Sequence, residues 1–257
     1  MEVGICCQPA DAVGLPANAF DFLEVNVQNF LVPEKAEADF RARLTEERGT
    51  SKPIRSANCF LPGNLKCVGA EFDEERLMRY AATAFRRAEE VGMEIIVFGS
   101  GKARMAPDGY PREQAMEDFA GVLRRLGPIA QRHGITLVVE PLNKSECNFI
   151  NSLAEGAEAV ERGNHPNVRL LADFYHMLKD GEPACEIARF GRMLAHTHVA
   201  ELAGRAFPGK AAQDFRPFFE ALGQTGYTGR IALECTWDNI AADIVASTRY
   251  LREQMVS

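Results

Sequence analysis

The chain has 257 residues, of which 46% are hydrophobic and 25% charged, an ordinary globular composition. Its formal net charge is -7 and its basic residues are mixed with acidic ones, so we expect no nucleic-acid partner. No run of about 18 apolar residues could span a membrane, and the first residues lack a signal-peptide pattern. Seven cysteines without a C-x-x-C pair are typical of reduced thiols, so we expect a cytoplasmic protein.

Eight short apolar runs recur along the chain. Each run is nearly continuous rather than alternating, a pattern typical of parallel strands that are buried on both faces. The predicted strands are Val3–Gln8, Phe22–Val27, Ser56–Pro62, Glu94–Gly101, Thr136–Asn143, Val168–Asp173, Leu194–Glu201 and Arg230–Thr236.

Amphipathic segments between most of these runs predict helices. Asp73–Val91 and Glu113–His133 have apolar residues at three- and four-residue spacing, and each is followed directly by a glycine, a common helix stop. The Pro/Gly/Ala-rich segment Pro9–Phe20 predicts a loop, and we assign no role to Phe98–Arg112. The remaining predicted helices are Glu34–Arg48, Ser152–Arg162, Asp214–Leu222, Ile240–Gln254 and a short one near Arg189.

The alternation of eight strands with about seven helices predicts an α/β fold, a single (β/α)₈ TIM barrel that forms one domain over residues 1–257. A doubly wound open sheet is the alternative. It usually has fewer strands, and no G-x-G-x-x-G motif follows the first strand here. No linker or low-complexity segment divides the chain.

The later strands end in ionisable residues. These are Glu140 on the fifth strand, Asp173 and then His176 on the sixth, His196 and His198 on the seventh, and Glu234 on the eighth. His196 and His198 are two residues apart and share a face, with His196 the deeper. Because the carboxyl ends of barrel strands converge on one face, we expect these side chains to meet there.

Three carboxylates at the mouth of an apolar barrel would repel one another and lose hydration. A divalent cation would resolve most of this conflict. Three oxygen ligands and one imidazole suit Mn²⁺, Mg²⁺, Co²⁺ or Fe²⁺ better than structural Zn²⁺, which favours thiolates. We therefore expect one divalent metal ion as cofactor. Mn²⁺ is the expected ion, and Mg²⁺, Co²⁺, Fe²⁺ and Zn²⁺ are alternatives.

The residues of these strand ends form the pattern E-x-x-N-x-x-E, D-x-x-H, H-x-H with a following Arg, and a last Glu. The pattern comprises Glu140, Asn143, Glu146, Asp173, His176, His196, His198, Arg205 and Glu234. It resembles the xylose isomerase-like superfamily of TIM barrels, most closely its ketose 3-epimerase and hydroxypyruvate isomerase members. The resemblance implies that substrate hydroxyls contact Glu146, His176 and Arg205. It also implies four metal ligands, Glu140, Asp173, His198 and Glu234.

Together these features predict a metal-dependent isomerase or epimerase that acts on a small ketose or related polyol. Glu140 and Glu234 are the expected acid–base pair, with Glu234 as the first base. One glutamate removes the proton next to the carbonyl to give a cis-enediolate, and the other returns a proton. Return on the opposite face gives epimerisation, and return at the neighbouring carbon gives isomerisation.

Other functions are compatible with the same scaffold. A metal-dependent dehydratase of the inosose or dehydroshikimate type would expel a β-hydroxyl from the same enediolate. An apurinic endonuclease needs more histidines than the five present, and an intact ligand set argues against a non-enzymatic binding protein. We expect a small sugar or polyol as the partner and no membrane association. Related barrels often form dimers or tetramers, so a homo-oligomer stays open.

Overall fold

The computed structural model describes residues 1–47 and 49–255. Eight parallel strands close into a barrel in chain order, with the last strand paired to the first. This confirms the predicted (β/α)₈ TIM barrel. The strands are β1 Glu2–Cys6, β2 Phe22–Asn26, β3 Ile54–Asn58, β4 Ile95–Phe98, β5 Thr136–Val139, β6 Val168–Asp173, β7 Leu194–Val199 and β8 Arg230–Leu233.

Helices surround this barrel, and their order follows the predicted alternation. They are α1 Pro9–Ala12, α2 Glu37–Glu47, α3 Glu74–Val91, α4 Gly101–Arg104, α5 Arg112–Arg132, α6 Leu153–Gly163, α7 Phe174–Asp180, α8 Cys185–Phe190, α9 Arg216–Gln224 and α10 Ile240–Gln254. A π-helical turn at Val27–Leu31 follows β2. Among the described residues, no helix combines the length and the apolar character needed to cross a bilayer.

Three short helices differ from the prediction. The segment Pro9–Phe20, expected to be a loop, contains α1, while α4 and α7 were not predicted at all. α7 is difficult to predict from the sequence because the helix begins directly where β6 ends, without a polar loop between them. The predicted helix Glu34–Arg48 begins later, as α2, and Arg48 lies outside the described residues.

Several strands end earlier than the apolar runs suggest. β5 stops at Val139 and β8 at Leu233, so Glu140 and Glu234 lie just beyond the ladder rather than within it. Pro141 follows Glu140 and has no N–H to donate, which is one reason why the fifth strand cannot continue. Both glutamates therefore stand at the rim of the barrel mouth.

The interior of the barrel changes from apolar to polar toward that mouth. Ile95, Val97, Val138 and Leu171 form a small buried cluster that is separate from the large core between strands and helices. Glu24, Ser56, His196 and His198 are also buried, at strand positions that face the same interior. A polar layer thus supports the mouth from below.

Candidate active site

The four side chains implied as metal ligands converge around one imidazole. His198 Nδ1 lies 3.1 Å from Glu140 Oε1 and 3.5 Å from Glu234 Oε2. It also lies 4.0 Å from Asp173 Oδ2. Burial alone would lower the pKa of His198, but the charges of Glu24 and Glu234 outweigh it and raise that pKa. The surroundings therefore favour positive charge at this point.

Asp173 offers one carboxylate oxygen to this cluster. Its Oδ1 accepts hydrogen bonds from the backbone N–H groups of Tyr175 (2.7 Å) and His176 (3.4 Å), and so caps α7. Its Oδ2 is buried and has no hydrogen-bond partner within the described part of the chain. An unpaired buried carboxylate oxygen is costly, and a cation between the acids would satisfy it. The residues present therefore fit a divalent ion.

His176 stands beside the acids. The ligand atoms of Glu140, Asp173, His176 and Glu234 all lie within 4.8 Å of one another. The Asn143 side-chain amide nitrogen lies 2.8 Å from His176 Nδ1, and the Asn143 backbone N–H donates to the same atom. Because both groups donate to Nδ1, the ring proton of neutral His176 is on Nε2. His176 Nε2 lies 3.5 Å from Asp173 Oδ2. His176 is therefore arranged as a hydrogen-bond donor, which fits its expected contact with substrate.

Glu140 occupies space that only a glycine leaves open. A Cβ atom on Gly99, directly after β4, would come within 2.1 Å of Glu140 Oε2. The Glu140 backbone N–H also donates to the Phe98 carbonyl at 3.3 Å. Burial raises the pKa of Glu140, an effect that its contact with His198 only partly offsets. Gly99 was not predicted to belong to the site, although its place directly after a buried strand was a signal.

Glu234 is held as an anion by its neighbours. Its Oε1 accepts a hydrogen bond from Asn58 Nδ2 at 3.0 Å, and its Oε2 pairs with the Arg205 guanidinium. Burial would raise the pKa of Glu234, but the charges of His198 and Arg205 lower it to about 2. Glu140 and Glu234 therefore have opposed proton affinities, as acid–base pairs commonly do.

The residues implied as substrate contacts lie along one side of the mouth. Arg205 Nη1 lies 3.4 Å from Glu146 Oε1, and the guanidinium is stacked 4.7 Å from the centre of the Tyr175 ring. Asn143 Nδ2 donates to Glu146 Oε1 at 2.9 Å. The structure thus brings Glu146, His176 and Arg205 together with the four acid and imidazole groups.

A buried carboxylate holds the loop that carries Arg205. Glu201 is fully buried and accepts hydrogen bonds from the backbone N–H groups of Gly209 (2.7 Å), Ala211 (2.5 Å) and Gln213 (3.2 Å). Arg205 itself has a left-handed backbone, with φ 51°. Glu201 was predicted only as the last residue of the seventh strand run, with no role in the site.

Glu24 on β2 is a second buried acid that was not predicted from the sequence. It is fully buried, with Oε2 2.7 Å from His196 Nε2 and 2.6 Å from Ser56 Oγ. Its Oε1 lies 2.8 Å from His198 Nε2. Burial would raise its pKa, but both histidines outweigh that effect and the pKa is lowered. An acid within the apolar run FLEVN was the signal that could have revealed it.

Two cavities of about 330 and 430 Å³ open at this mouth and share Cys59, Arg205 and Glu234. Each is within the roughly 300–1,000 Å³ typical of small-molecule pockets. The larger one is also lined by Glu140, Glu146, His176 and, from the unassigned segment Phe98–Arg112, Ser100, Gly101 and Lys102. The smaller one includes the polar side chains of Gln8, Asn26, Asn58 and Thr236.

The fold and the convergent acids define a (β/α)₈ barrel whose strand ends carry an acid–imidazole site. The sequence model of the xylose isomerase-like TIM barrel family matches residues 10–254. The chain belongs to this family, which confirms the resemblance seen in the sequence.

Relatives within the family are sugar epimerases. The chain is 30% identical over 189 residues to 3-dehydro-D-guloside 4-epimerase of Escherichia coli strain K12, a match over 68% of this chain and 72% of that one. It is 31% identical over 140 residues to L-ribulose 3-epimerase of Methylomonas sp. strain DH-1, over 53% of this chain and 47% of the relative. That second match spans about half of the relative's length. These relatives support an enzyme of the sugar isomerase and epimerase class.

Solved structures share the fold along the whole chain. D-psicose 3-epimerase of Clostridium cellulolyticum H10, solved with D-tagatose, has a TM-score of 0.78 at 18% identity, covering 99% of this chain and 96% of that one. D-allulose 3-epimerase of Methylomonas sp., solved with D-allulose, has a TM-score of 0.79 at 20% identity, covering 99% and 97%. At this level of identity the likeness shows the fold alone.

Proposed function

We propose that the protein is a divalent-metal-dependent isomerase or epimerase of a small ketose or related polyol. The main support is that Glu140 and Glu234 both lie close to His198 Nδ1. They follow β5 and β8, which are separated by β6 and β7 in the barrel. A substrate carbon between them would have a carboxylate on each side. Transfer of a proton away from that carbon and back to it needs this arrangement.

The metal ligands in this proposal are Glu140, Asp173, His198 and Glu234. Three carboxylates and one neutral imidazole suit Mn²⁺, which is the ion we propose. A divalent ion bound there would polarise the substrate carbonyl and make the neighbouring C–H more acidic. The buried Asp173 Oδ2, which has no hydrogen-bond partner among the described residues, supports this assignment.

Glu234 acts as the first base in the proposed reaction. Its hydrogen bond from Asn58 and its ion pair with Arg205 keep the carboxylate ionised and fixed in direction. It takes the proton next to the carbonyl, and the substrate becomes a cis-enediolate. Glu140 then returns a proton from the other side, and the two glutamates exchange roles in the reverse direction.

The remaining residues of the mouth orient the substrate. His176 has its proton on Nε2, facing the acids, while Glu146 and Arg205 are paired at the rim. We propose that His176 as a donor, Glu146 as an acceptor and the Arg205 guanidinium bind successive hydroxyl groups of the substrate. The support is their position along the larger cavity.

Proton exchange with solvent tests this function. Protein loaded with Mn²⁺ is incubated in D₂O with a panel of ketopentoses, ketohexoses and 3-keto glycosides. We expect deuterium to appear at the carbon next to the carbonyl of at least one sugar, and chelator-treated protein to give none. Absence of exchange across the whole panel would reject the proposal. A new ultraviolet absorbance from an enone product would instead identify the dehydratase.

A further inference from the structure

We infer that Glu24 is a positioning residue, which orients the His198 imidazole so that Nδ1 faces the metal site. The inference rests on the metal site of the proposed function. Glu24 lines the smaller cavity and accepts a hydrogen bond from Cys6 Sγ at 3.4 Å, and among the implied metal ligands in the described residues it lies in ion-pair contact with His198. The evidence is the distribution of contacts over the two ring nitrogens.

The two nitrogens of His198 face different carboxylates. Nε2 lies 2.8 Å from Glu24 Oε1, below the mouth, and Nδ1 lies 3.1 Å from Glu140 Oε1, within it. When Nδ1 holds a metal, the one remaining ring proton is on Nε2, the nitrogen that lies in ion-pair contact with Glu24 but outside hydrogen-bond geometry in this structure. A ring flipped by 180° would instead place Nε2 at the metal site and Nδ1 beside Glu24. A carboxylate behind a ligating histidine also makes that histidine a stronger ligand.

Glu24 is itself held in place from two other strands. Its Oε2 accepts a hydrogen bond from Ser56 Oγ on β3 at 2.6 Å and lies 2.7 Å from His196 Nε2 on β7. Glu24, His196 and His198 are all fully buried, so no water competes for these contacts at their surface. With its second oxygen engaged, the carboxylate cannot turn away from His198. This explains why an acid stands inside an otherwise apolar strand.

Mn²⁺ affinity tests this role without any sugar. Free Mn²⁺ is measured by electron paramagnetic resonance during titration of the parent protein, Glu24→Gln and Ser56→Ala. Loss of a carboxylate behind a ligating histidine typically weakens metal affinity roughly 10- to 100-fold, and we expect this for Glu24→Gln. Ser56→Ala removes one of the two contacts that fix the same carboxylate but keeps the carboxylate and its contact with His196, so its affinity should fall much less than that of Glu24→Gln. Equal affinities in all three proteins would overturn the inference.

The protonation of His198 tests the same role in the unchanged sequence, should Glu24→Gln fail to fold. The imidazole nitrogens are labelled and observed by NMR in protein loaded with Cd²⁺, a diamagnetic probe. We expect Nδ1 of His198 to bind Cd²⁺ and Nε2 to carry the proton. Cd²⁺ on Nε2, or a proton on Nδ1, would overturn the inference.

These outcomes separate the inference from the proposed function. If no sugar is turned over but Glu24→Gln weakens Mn²⁺ binding, the sugar activity fails and the role of Glu24 stands. If a ketose exchanges deuterium but Glu24→Gln binds Mn²⁺ like the parent, only the role of Glu24 fails.

Discussion

At the scale of single residues, the central feature is the asymmetry between two glutamates. Glu234 is ionised by its ion pair with Arg205 and its proximity to His198, whereas burial raises the pKa of Glu140. The neighbours of these two carboxyl groups thus shift their pKa values in opposite directions. In the proposed reaction Glu234, which is ionised in this structure, is the carboxylate that accepts the first proton.

Glu234→Gln tests the base directly. The amide keeps the size and one oxygen of the side chain but cannot take a proton, so we expect kcat to fall roughly 10²- to 10⁴-fold. Both proteins are compared at saturating Mn²⁺, because loss of a ligand's charge also weakens Mn²⁺ binding, and the fold should persist. Glu220→Gln, which changes an exposed glutamate on α9, is the matched control and should keep full activity. Turnover by Glu234→Gln at the parent's rate would contradict the mechanism.

Gly99→Ala tests how closely Glu140 must approach β4. The added methyl group would meet Glu140 Oε2 at 2.1 Å, so the carboxylate has to move out of the site. We expect about a 10²-fold loss of kcat, as for other small displacements of catalytic groups, with normal circular dichroism. Gly223→Ala in α9 is the control, because no atom lies within 4 Å of its new methyl group. Full activity in Gly99→Ala would show that Glu140 needs no such clearance.

The site residues differ in how visible they are in the sequence. Asp173 ends one apolar run and His198 lies near the end of the next, so strand pattern and barrel geometry predicted that they would lie close together. Glu24 and Gly99 were missed for opposite reasons. Glu24 lies within an apolar run and contacts His198 rather than the cavity's acid pair. Gly99 is important because it has no Cβ atom, which would collide with Glu140.

At the scale of elements, the loop after β7 depends on one buried acid. Three backbone N–H groups of this loop donate to Glu201, and the same loop carries Arg205. Glu201→Gln weakens charge-assisted hydrogen bonds worth roughly 1.5–3 kcal/mol each. We expect about a tenfold rise in KM for the sugar and faster proteolysis at residues 207–213, with a smaller change in kcat. An unchanged KM together with an unchanged cleavage rate would contradict this role.

The contact between Glu182, two residues after α7, and the start of α6 predicts a pH effect on stability. Glu182 Oε1 accepts a hydrogen bond from the Leu153 N–H at 2.9 Å, and burial raises the pKa of Glu182 to about 7. The folded state therefore binds more protons than the unfolded state between the ordinary pKa of a glutamate and pH 7. As pH rises through that window, Glu182 loses its stabilising proton and the free energy of unfolding falls.

Glu182→Gln should remove this dependence. Allowing for solvent screening of a partly exposed group, we expect the variant to be more stable than the parent by about 1 kcal/mol at pH 8. Near pH 4.5 the difference should disappear. Urea unfolding of both proteins across this range measures it. A constant difference between the two curves would show that Glu182 does not titrate in this window.

The elements themselves were predictable to different degrees. The core strands and long helices such as α3 and α5 followed from apolar periodicity. Strand ends did not, because hydropathy cannot show where ladder hydrogen bonds stop, as at Val139 before Glu140. Short helices such as α7 depend on caps supplied by a strand's last residue, here Asp173.

At the scale of the whole molecule, barrel closure is what makes the site. Glu24 and Glu234 are 210 positions apart in the chain, yet both contact His198 because β2, β7 and β8 surround one interior. The strand count and order were predictable from the sequence. The sugar that fits the two cavities was not, because their linings come from loops after many different strands.

One measurement tests the central claim most directly: diffraction from crystals soaked with Mn²⁺ and an exchange-active ketose, with anomalous data for the ion. We predict one Mn²⁺ bound by Glu140, Asp173, His198 Nδ1 and Glu234, with the substrate carbon next to the carbonyl between the two glutamate carboxylates. An ion bound elsewhere, or a sugar whose reacting carbon lies out of reach of both glutamates, would contradict it.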